Sequence, residues 1–273
     1  MTGIVIAAGR GLRLAPYTDS WPKCMLPIVG GRTMLSLAIE RLRAAGCDRL
    51  VVVTGHLAER IDAPGCHTVH NDQFADNNIL HSLMYARAYF DDDLLVTYSD
   101  IVAEPAAYTR TVGHGGDIVL AIDRDWRSYY DGRTQHPISE AEKAVVRPVS
   151  SQAGRVEHIG KHLPDAAPDG ALCGEFLGLF RLSRSGATRF RAHFETLDAA
   201  LGATQHPFQQ AREWRKAYVT DFFTELMNQG ETVECALIER GWAEVDAVQD
   251  YERLPEMLKT QRLYSLMSEE TQP

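Results

Sequence analysis

A rhythm in the first third of the chain limits what it can become. Short strand-like runs at residues 4–8, 50–54, 67–70 and 94–98 are separated by single amphipathic stretches. One stretch starts at Thr33, carries Leu35, Ala38, Ile39 and Leu42 on one face, and is stopped by Gly46; another bears Ile79, Leu83, Ala86 and Phe90. Strands joined through single helices cannot pair as hairpins, so they pair in parallel and need helices to cover them. The expected class is α/β, with a Rossmann-like, mostly parallel sheet and helices on both faces.

After Asp100 the rhythm changes. Residues 117–123, 142–149, 156–161 and 175–182 read as strands joined by short loops, so antiparallel pairing enters and the sheet becomes mixed. Between them, "RDWRSYYDGRTQHPISEAEK" is too polar and too rich in turn formers for a core element and reads as a functional loop. Helices are expected at 185–197 and 208–228, a strand at 232–238, and a last helix near 249–261. At 273 residues the chain suits one domain over 1–267, with a small insertion or flap at about 123–180 and a disordered tail at 268–273.

Composition then removes whole classes. A formal charge of −9 argues against a broad nucleic-acid footprint while allowing a local basic pocket for a small anion. Five cysteines without a CxxC pair fit neither a disulfide framework nor a structural zinc site, and suggest a reducing cytoplasm. No apolar run approaches a membrane span and no segment resembles a signal peptide. The oligomeric state is left open, a homodimer included.

The connection leaving the first strand, "AAGRGLRLAPYTDSWPKCMLPI", falls where ligands of parallel α/β sheets bind. Gly9 and Gly11 permit close backbone approach to phosphate oxygens, with Ala8 beside them, and Arg10, Arg13 and Lys23 can add charge-assisted contacts. Read alone, Gly-x-Gly is equally a tight turn with solvated arginines. The string is neither a dinucleotide fingerprint nor a Walker A loop.

The full spacing, Gly9-x-Gly11-x-Arg13-Leu14-x-Pro16-x-Thr18 followed by Pro22-Lys23-x-x-Leu26-Pro27, resembles the signature of the sugar-nucleotide pyrophosphorylase and cytidylyltransferase superfamily. "NDQFADNNILHSL" and "WAEVDAVQDYERL" are similar to segments of its phosphocholine and phosphonate cytidylyltransferase branch, so the likeness runs through nearly the whole chain. The resemblance implies a nucleotidyltransferase fold whose opening loop wraps a nucleoside triphosphate, with Lys23 and Arg13 as catalytic cations. Leu12 departs from it, since many members carry Ser or Thr there.

Triphosphate chemistry needs Mg²⁺, which takes one or two carboxylates. Asp100 ends the run "LLVTYSD", and Asp246 lies in a segment that resembles the family's second metal-binding stretch. Each is otherwise a turn or surface acid. Where the branch often shows Asp-Ala-Asp, this chain has Tyr98-Ser99-Asp100, so only Asp100 carries over; Glu244 and Ser99 are candidate supports.

By the same resemblance Asn78 and Ser82 lie near the nucleotide, with Asn77 either a helix cap or a ligand. Gly55, ending the second strand, is expected to let the base approach. On the acceptor side Arg127, Arg133, Lys143 and Lys161, with Glu175, are assigned to a small anionic phosphonate or phosphomonoester. Trp126, Tyr129 and Tyr130 could instead face a quaternary ammonium. The texture of the flap and of "GEFLGLFRLS" is closer to phosphonate enzymes. The expected function is therefore Mg²⁺-dependent transfer of CMP from CTP to a small phosphonate, phosphonoformate-like or another biosynthetic one, with pyrophosphate released. The alternatives are a phosphocholine cytidylyltransferase, a sugar-1-phosphate nucleotidylyltransferase and a non-catalytic nucleotide-sensing subunit.

Overall fold

A computed structural model describes residues 1–260 and 263. Nine strands form the main sheet: β1 Thr2–Ala7, β2 Arg49–Thr54, β3 His67–His70, β4 Leu94–Tyr98, β5 Ile118–Asp123, β6 Lys143–Pro148, β7 Ala153–Gly160, β8 Leu172–Leu182 and β9 Glu234–Ile238. Their order is β3-β2-β1-β4-β8-β5-β9-β7-β6. The β3-β2-β1-β4 half is wholly parallel, and all strands but β8 and β7 run in one direction. The long β8 also pairs with β6, so this end of the sheet closes into a ring.

The helices are α1 Met34–Ala44, α2 Ile79–Met84, α3 Pro105–Gly113, α4 Arg184–Leu201, α5 Val219–Asn228, α6 Val248–Glu252 and α7 Leu254–Thr260. Strand alternation sorts the core onto two faces. Val5, Val52 and Leu95 pack with Leu35, Leu42 and Tyr108 of α1 and α3 on one side. Ile4, Ile6, Val51 and Val96 pack with Leu83, Phe190 and Phe222 of α2, α4 and α5 on the other. Buried on both faces, these strands read as continuous apolar runs. Thr33 caps α1 through a reciprocal pair of bonds with Ser36.

Two helix expectations change. Residues 208–218 are not helical apart from one short turn at Trp214–Lys216, because Asp221 ends the irregular stretch: its carboxylate accepts from Gln210 N at 3.0 Å and Tyr218 N at 2.8 Å, capping α5. The last helix is interrupted at Arg253, between α6 and α7. The polar stretch 124–142 of the flap carries only short 3-10 turns, yet it is not a solvated loop, and the rest of the flap is the strands β6, β7 and most of β8. Trp126, Tyr129, Tyr130, Arg133 and His136 are all buried. The tail expected at 268–273 lies outside the described residues. No described helix is long and apolar enough to cross a membrane.

Candidate active site

A cleft of about 550 Å³ opens at the ends of β1 and β4. Ala8, Gly9, Arg10, Gly11 and Arg13 line one wall. Gly11 has φ +61°, and a Cβ there would come within 3.0 Å of Lys23 Cβ, so the turn that brings loop and lysine together requires glycine. Thr18 fastens the loop by donating to Gly11 O at 2.9 Å.

At the base of the cleft Lys23 Nζ donates to Asp100 Oδ2 at 2.8 Å and to Asp246 Oδ1 at 2.7 Å. A short ribbon brings these distant acids together: Ile101–Ala103 pairs antiparallel with Trp242–Glu244, placing Ile101 opposite Glu244. Val245 N then donates to Asp100 O at 3.0 Å. Burial works against the Lys23 ammonium, but Asp100, Asp246 and Glu244 outweigh it and hold its pKa above the ordinary value. Asp246 is opposed by burial too, yet Lys23, His136 and Arg13 hold it far below the carboxylate range. Arg13 bonds its second oxygen, and His136 Nδ1 lies 2.8 Å from that oxygen. Glu244 moves the other way: burial and neighbouring Asp246 raise its pKa.

Asp100 keeps Oδ1 buried without a hydrogen-bond partner. An all-oxygen pair with one unused donor atom suits a hard cation such as Mg²⁺. Asp100 and Asp246 would be its protein ligands, with Ser99 and Glu244 also lining the cleft.

Ser82 and Asn78, expected near a nucleotide, do line the cleft, as does Asn77. The cap is Asn78 rather than Asn77: its Oδ1 accepts from Ile79 N at 2.9 Å while its Nδ2 donates to Lys216 O at 3.0 Å. Asn77 is held by the buried Asn71, which also donates to Ser82 Oγ at 2.9 Å. Gly55 does not line the cleft. A Cβ there would fall 2.6 Å from Ala8 O and 2.8 Å from Phe74 Cβ, so this glycine serves close packing rather than approach of a base.

The acceptor assignments divide. Lys161 and Glu175 line the cleft; Arg127, Arg133 and Lys143 do not. Arg133 is buried with Nε 2.7 Å from Asp250 Oδ1 and Nη2 2.9 Å from Glu244 Oε2. Lys143 bonds Leu163 O and Asp165, and Arg127 bonds Asp165 O while lying over the Trp126 ring. Trp126, Tyr129 and Tyr130 are likewise turned inward, Tyr129 bonding the Glu244 backbone and Tyr130 bonding Glu175. Sequence reasoning missed Glu140, Glu142, Tyr98, Phe176 and Tyr218, which line this end instead. His136, from the same stretch, is a partner of Asp246. The helical spacing of Trp126, Tyr129, Tyr130 and Arg133 was the available sign that the flap has a buried face.

Comparison with known proteins gives this arrangement its class: the chain is a nucleotidyltransferase. Residues 3–215 match the model of the MobA-like NTP transferase domain, and the chain belongs to that family. It is 24% identical to the CTP:phosphoglutamine cytidylyltransferase of Campylobacter jejuni over 92% of this chain and 98% of that one. It is 35% identical to the CMP-5'-(3-aminopropyl)phosphonate synthase of Streptomyces rubellomurinus over 45% of this chain and 21% of that one. Its fold matches the inositol-1-phosphate CTP transferase from T. maritima at a TM-score of 0.67 and 18% identity, over 94% and 96% of the two chains.

Proposed function

We propose that the chain transfers CMP from CTP to a small phosphonate or phosphomonoester and releases pyrophosphate. The observation that carries this reading is Lys23 Nζ, seated between Asp100 and Asp246 directly behind the glycine loop. The similarity to cytidylyltransferases supports CTP as the donor.

An acceptor oxygen attacks the α-phosphorus in line, forming the new O–P bond as the bond to the β-phosphate bridging oxygen breaks and pyrophosphate leaves with that electron pair. The acceptor oxygen is already anionic near neutral pH, so no strong general base is needed. Catalysis then rests on positioning and on offsetting charge. Backbone N–H groups of the loop cradle the triphosphate, Lys23 and Arg13 oppose its charge, and Asn78 and Ser82 stand at the base side. A divalent cation held by Asp100 and Asp246 supplies further charge neutralisation when bound. Lys161 is the cleft cation on the acceptor side.

Pyrophosphate release tests the reading. With CTP, UTP, dTTP and ATP offered against a panel of small phosphonates and phosphomonoesters, CTP is expected to be used preferentially. Turnover confined to UTP or dTTP with a sugar 1-phosphate would overturn it.

A further inference from the structure

Behind Ser82 and Asn77 lies a closed set of hydrogen bonds centred on a residue that does not itself line the cleft. Asn71 follows β3 and is fully buried, its backbone N–H donating at 2.8 Å to Thr54 O at the end of β2. The Gln73 backbone N–H lies 2.9 Å from Asn71 Oδ1, and since a backbone N–H can only donate, this contact fixes which end of the amide is oxygen. Asn71 Nδ2 therefore faces the other way, giving one hydrogen to Asn77 Oδ1 and one to Ser82 Oγ, both at 2.9 Å. Asn77 Nδ2 returns a bond to Asn71 Oδ1 at 3.1 Å. Every donor and acceptor position of the Asn71 amide is then in use.

Ser82 takes a fixed polarity from this arrangement. A hydroxyl can donate or accept, and it ordinarily rotates to suit its partner. Asn71 presents only a hydrogen to Ser82 Oγ, so that oxygen accepts and its own proton points elsewhere. The carbonyl one turn back, Asn78 O, already receives the Ser82 backbone N–H at 3.0 Å, and among the described residues no protein group takes the hydroxyl proton. Ser82 lines the cleft and offers a donor there. Asn78, by contrast, has Oδ1 on Ile79 N and Nδ2 on Lys216 O, and serves the fold.

A donor of fixed polarity distinguishes the two pyrimidines at one ring atom. O2 accepts in cytosine and uracil alike, whereas N3 is a bare acceptor in cytosine and carries a hydrogen in uracil. A rotating hydroxyl would bond either base at N3; a locked one bonds cytosine and sets two hydrogens against each other in uracil.

We infer that Asn71 is a positioning residue for the choice of base: without touching the nucleotide, it locks Ser82 as a donor to N3 and so selects cytosine. This rests on the cytidylyl-transfer reading and adds to it the residue that sets the selection.

The test compares CTP, UTP and the triphosphate of pyrimidin-2-one riboside, which keeps the bare N3 of cytosine and lacks its amino group, each offered with the acceptor panel. In the parent enzyme the pyrimidinone is expected to exceed UTP in kcat/KM by about 10-fold or more. Equal use of these two while CTP is still preferred overturns the inference and leaves cytidylyl transfer standing, because selection then rests on the amino group. Ser82→Ala and Asn71→Ala are each expected to cut the CTP-to-UTP ratio by about 10-fold, and the double variant to cut it no further, since Asn71 acts through Ser82. A merely structural Asn71 would raise the KM for CTP and UTP alike and leave the ratio unchanged, which overturns its role. Where Asn71→Ala fails to fold, the pyrimidinone comparison and the Ser82→Ala ratio decide, because an unlocked hydroxyl would use UTP and the pyrimidinone equally. Should no nucleotide release pyrophosphate, the transfer reading fails, and calorimetric titration of the three triphosphates decides the base site separately. Tighter binding of the pyrimidinone than of UTP supports the lock; equal or absent binding overturns it.

Discussion

The opening loop and the flap are both rich in arginine, yet they use it in opposite directions. In the loop, Arg10 and Arg13 line the cleft, with Lys23 at its base. In the flap, Arg133 turns inward to Asp250 and Glu244, Arg127 bonds the backbone at Asp165, and the charged groups lining the cleft at that end are mostly acids, Glu140, Glu142 and Glu175. The loop leaves a parallel strand at its C-terminal end, so its first residues, 8–13, line the crevice. The flap has to make its own core from aromatic rings, and its cations anchor that core. Charge counted along a sequence therefore predicts a binding surface only where the fold dictates which way the side chains face.

The largest effect that could break this contrast lies in the flap. Arg133→Met leaves Asp250 and Glu244 buried without their partner and is expected to cost roughly 3–5 kcal/mol in denaturant unfolding. A variant as stable as the parent, with a raised acceptor KM instead, would return Arg133 to the binding surface. Next comes the loop: Lys23→Ala is expected to lower kcat by about 10²–10³ with the far-UV spectrum unchanged, since Arg13 and His136 still hold Asp246. Near-normal turnover would remove the distinction between the two regions.

A smaller effect sharpens it through pH. Glu142 takes its proton in the folded chain at about 7 against an ordinary 4.5. The folded state therefore binds more protons than the unfolded one between those values, and stability falls as pH rises through that window. Glu142→Gln removes the penalty. It is expected to raise stability at pH 8 by on the order of 1 kcal/mol and to change little at pH 4.5, read as melting temperatures at the two pH values. Smallest of all, Arg127→Ala is expected to leave the acceptor KM and the melting temperature nearly as they were, within about 0.5 kcal/mol.

How much of this was legible depended on how local the signal is. β4 was readable to the residue, because a strand buried on two faces and bounded by turns leaves an apolar run that little else imitates, whereas β3, the mostly exposed edge strand, had only its place in the strand rhythm to mark it. Lys23, Asp100 and Asp246 were readable as a set, although only the Ile101–Ala103 ribbon explains why residues so far apart meet. Asn77 and Asn78 were not separable: identical neighbours both fit a cap, and the bond to Lys216 O that selects Asn78 comes from a distant segment. The helix expected at 208–228 failed for a similar reason, since the Asp221 carboxylate closes back on Gln210 and Tyr218. The acid wall was hidden in "EAEK", where Glu142 looks like any solvated charge until the pairing of β6 with β8 turns it inward.

Asp246 has a consequence for how the protein is made. It meets Arg13 and Lys23 from the opening loop and His136 from the flap, and it follows β9, the last strand of the sheet. Ribosomes deliver the whole sheet before they deliver this residue. A chain released early, anywhere between Ile238 and Asp246, holds every sheet strand and lacks the carboxylate its cations converge on. Truncation there would remove the charge that ties the opening loop to the flap while leaving every strand of the main sheet in place.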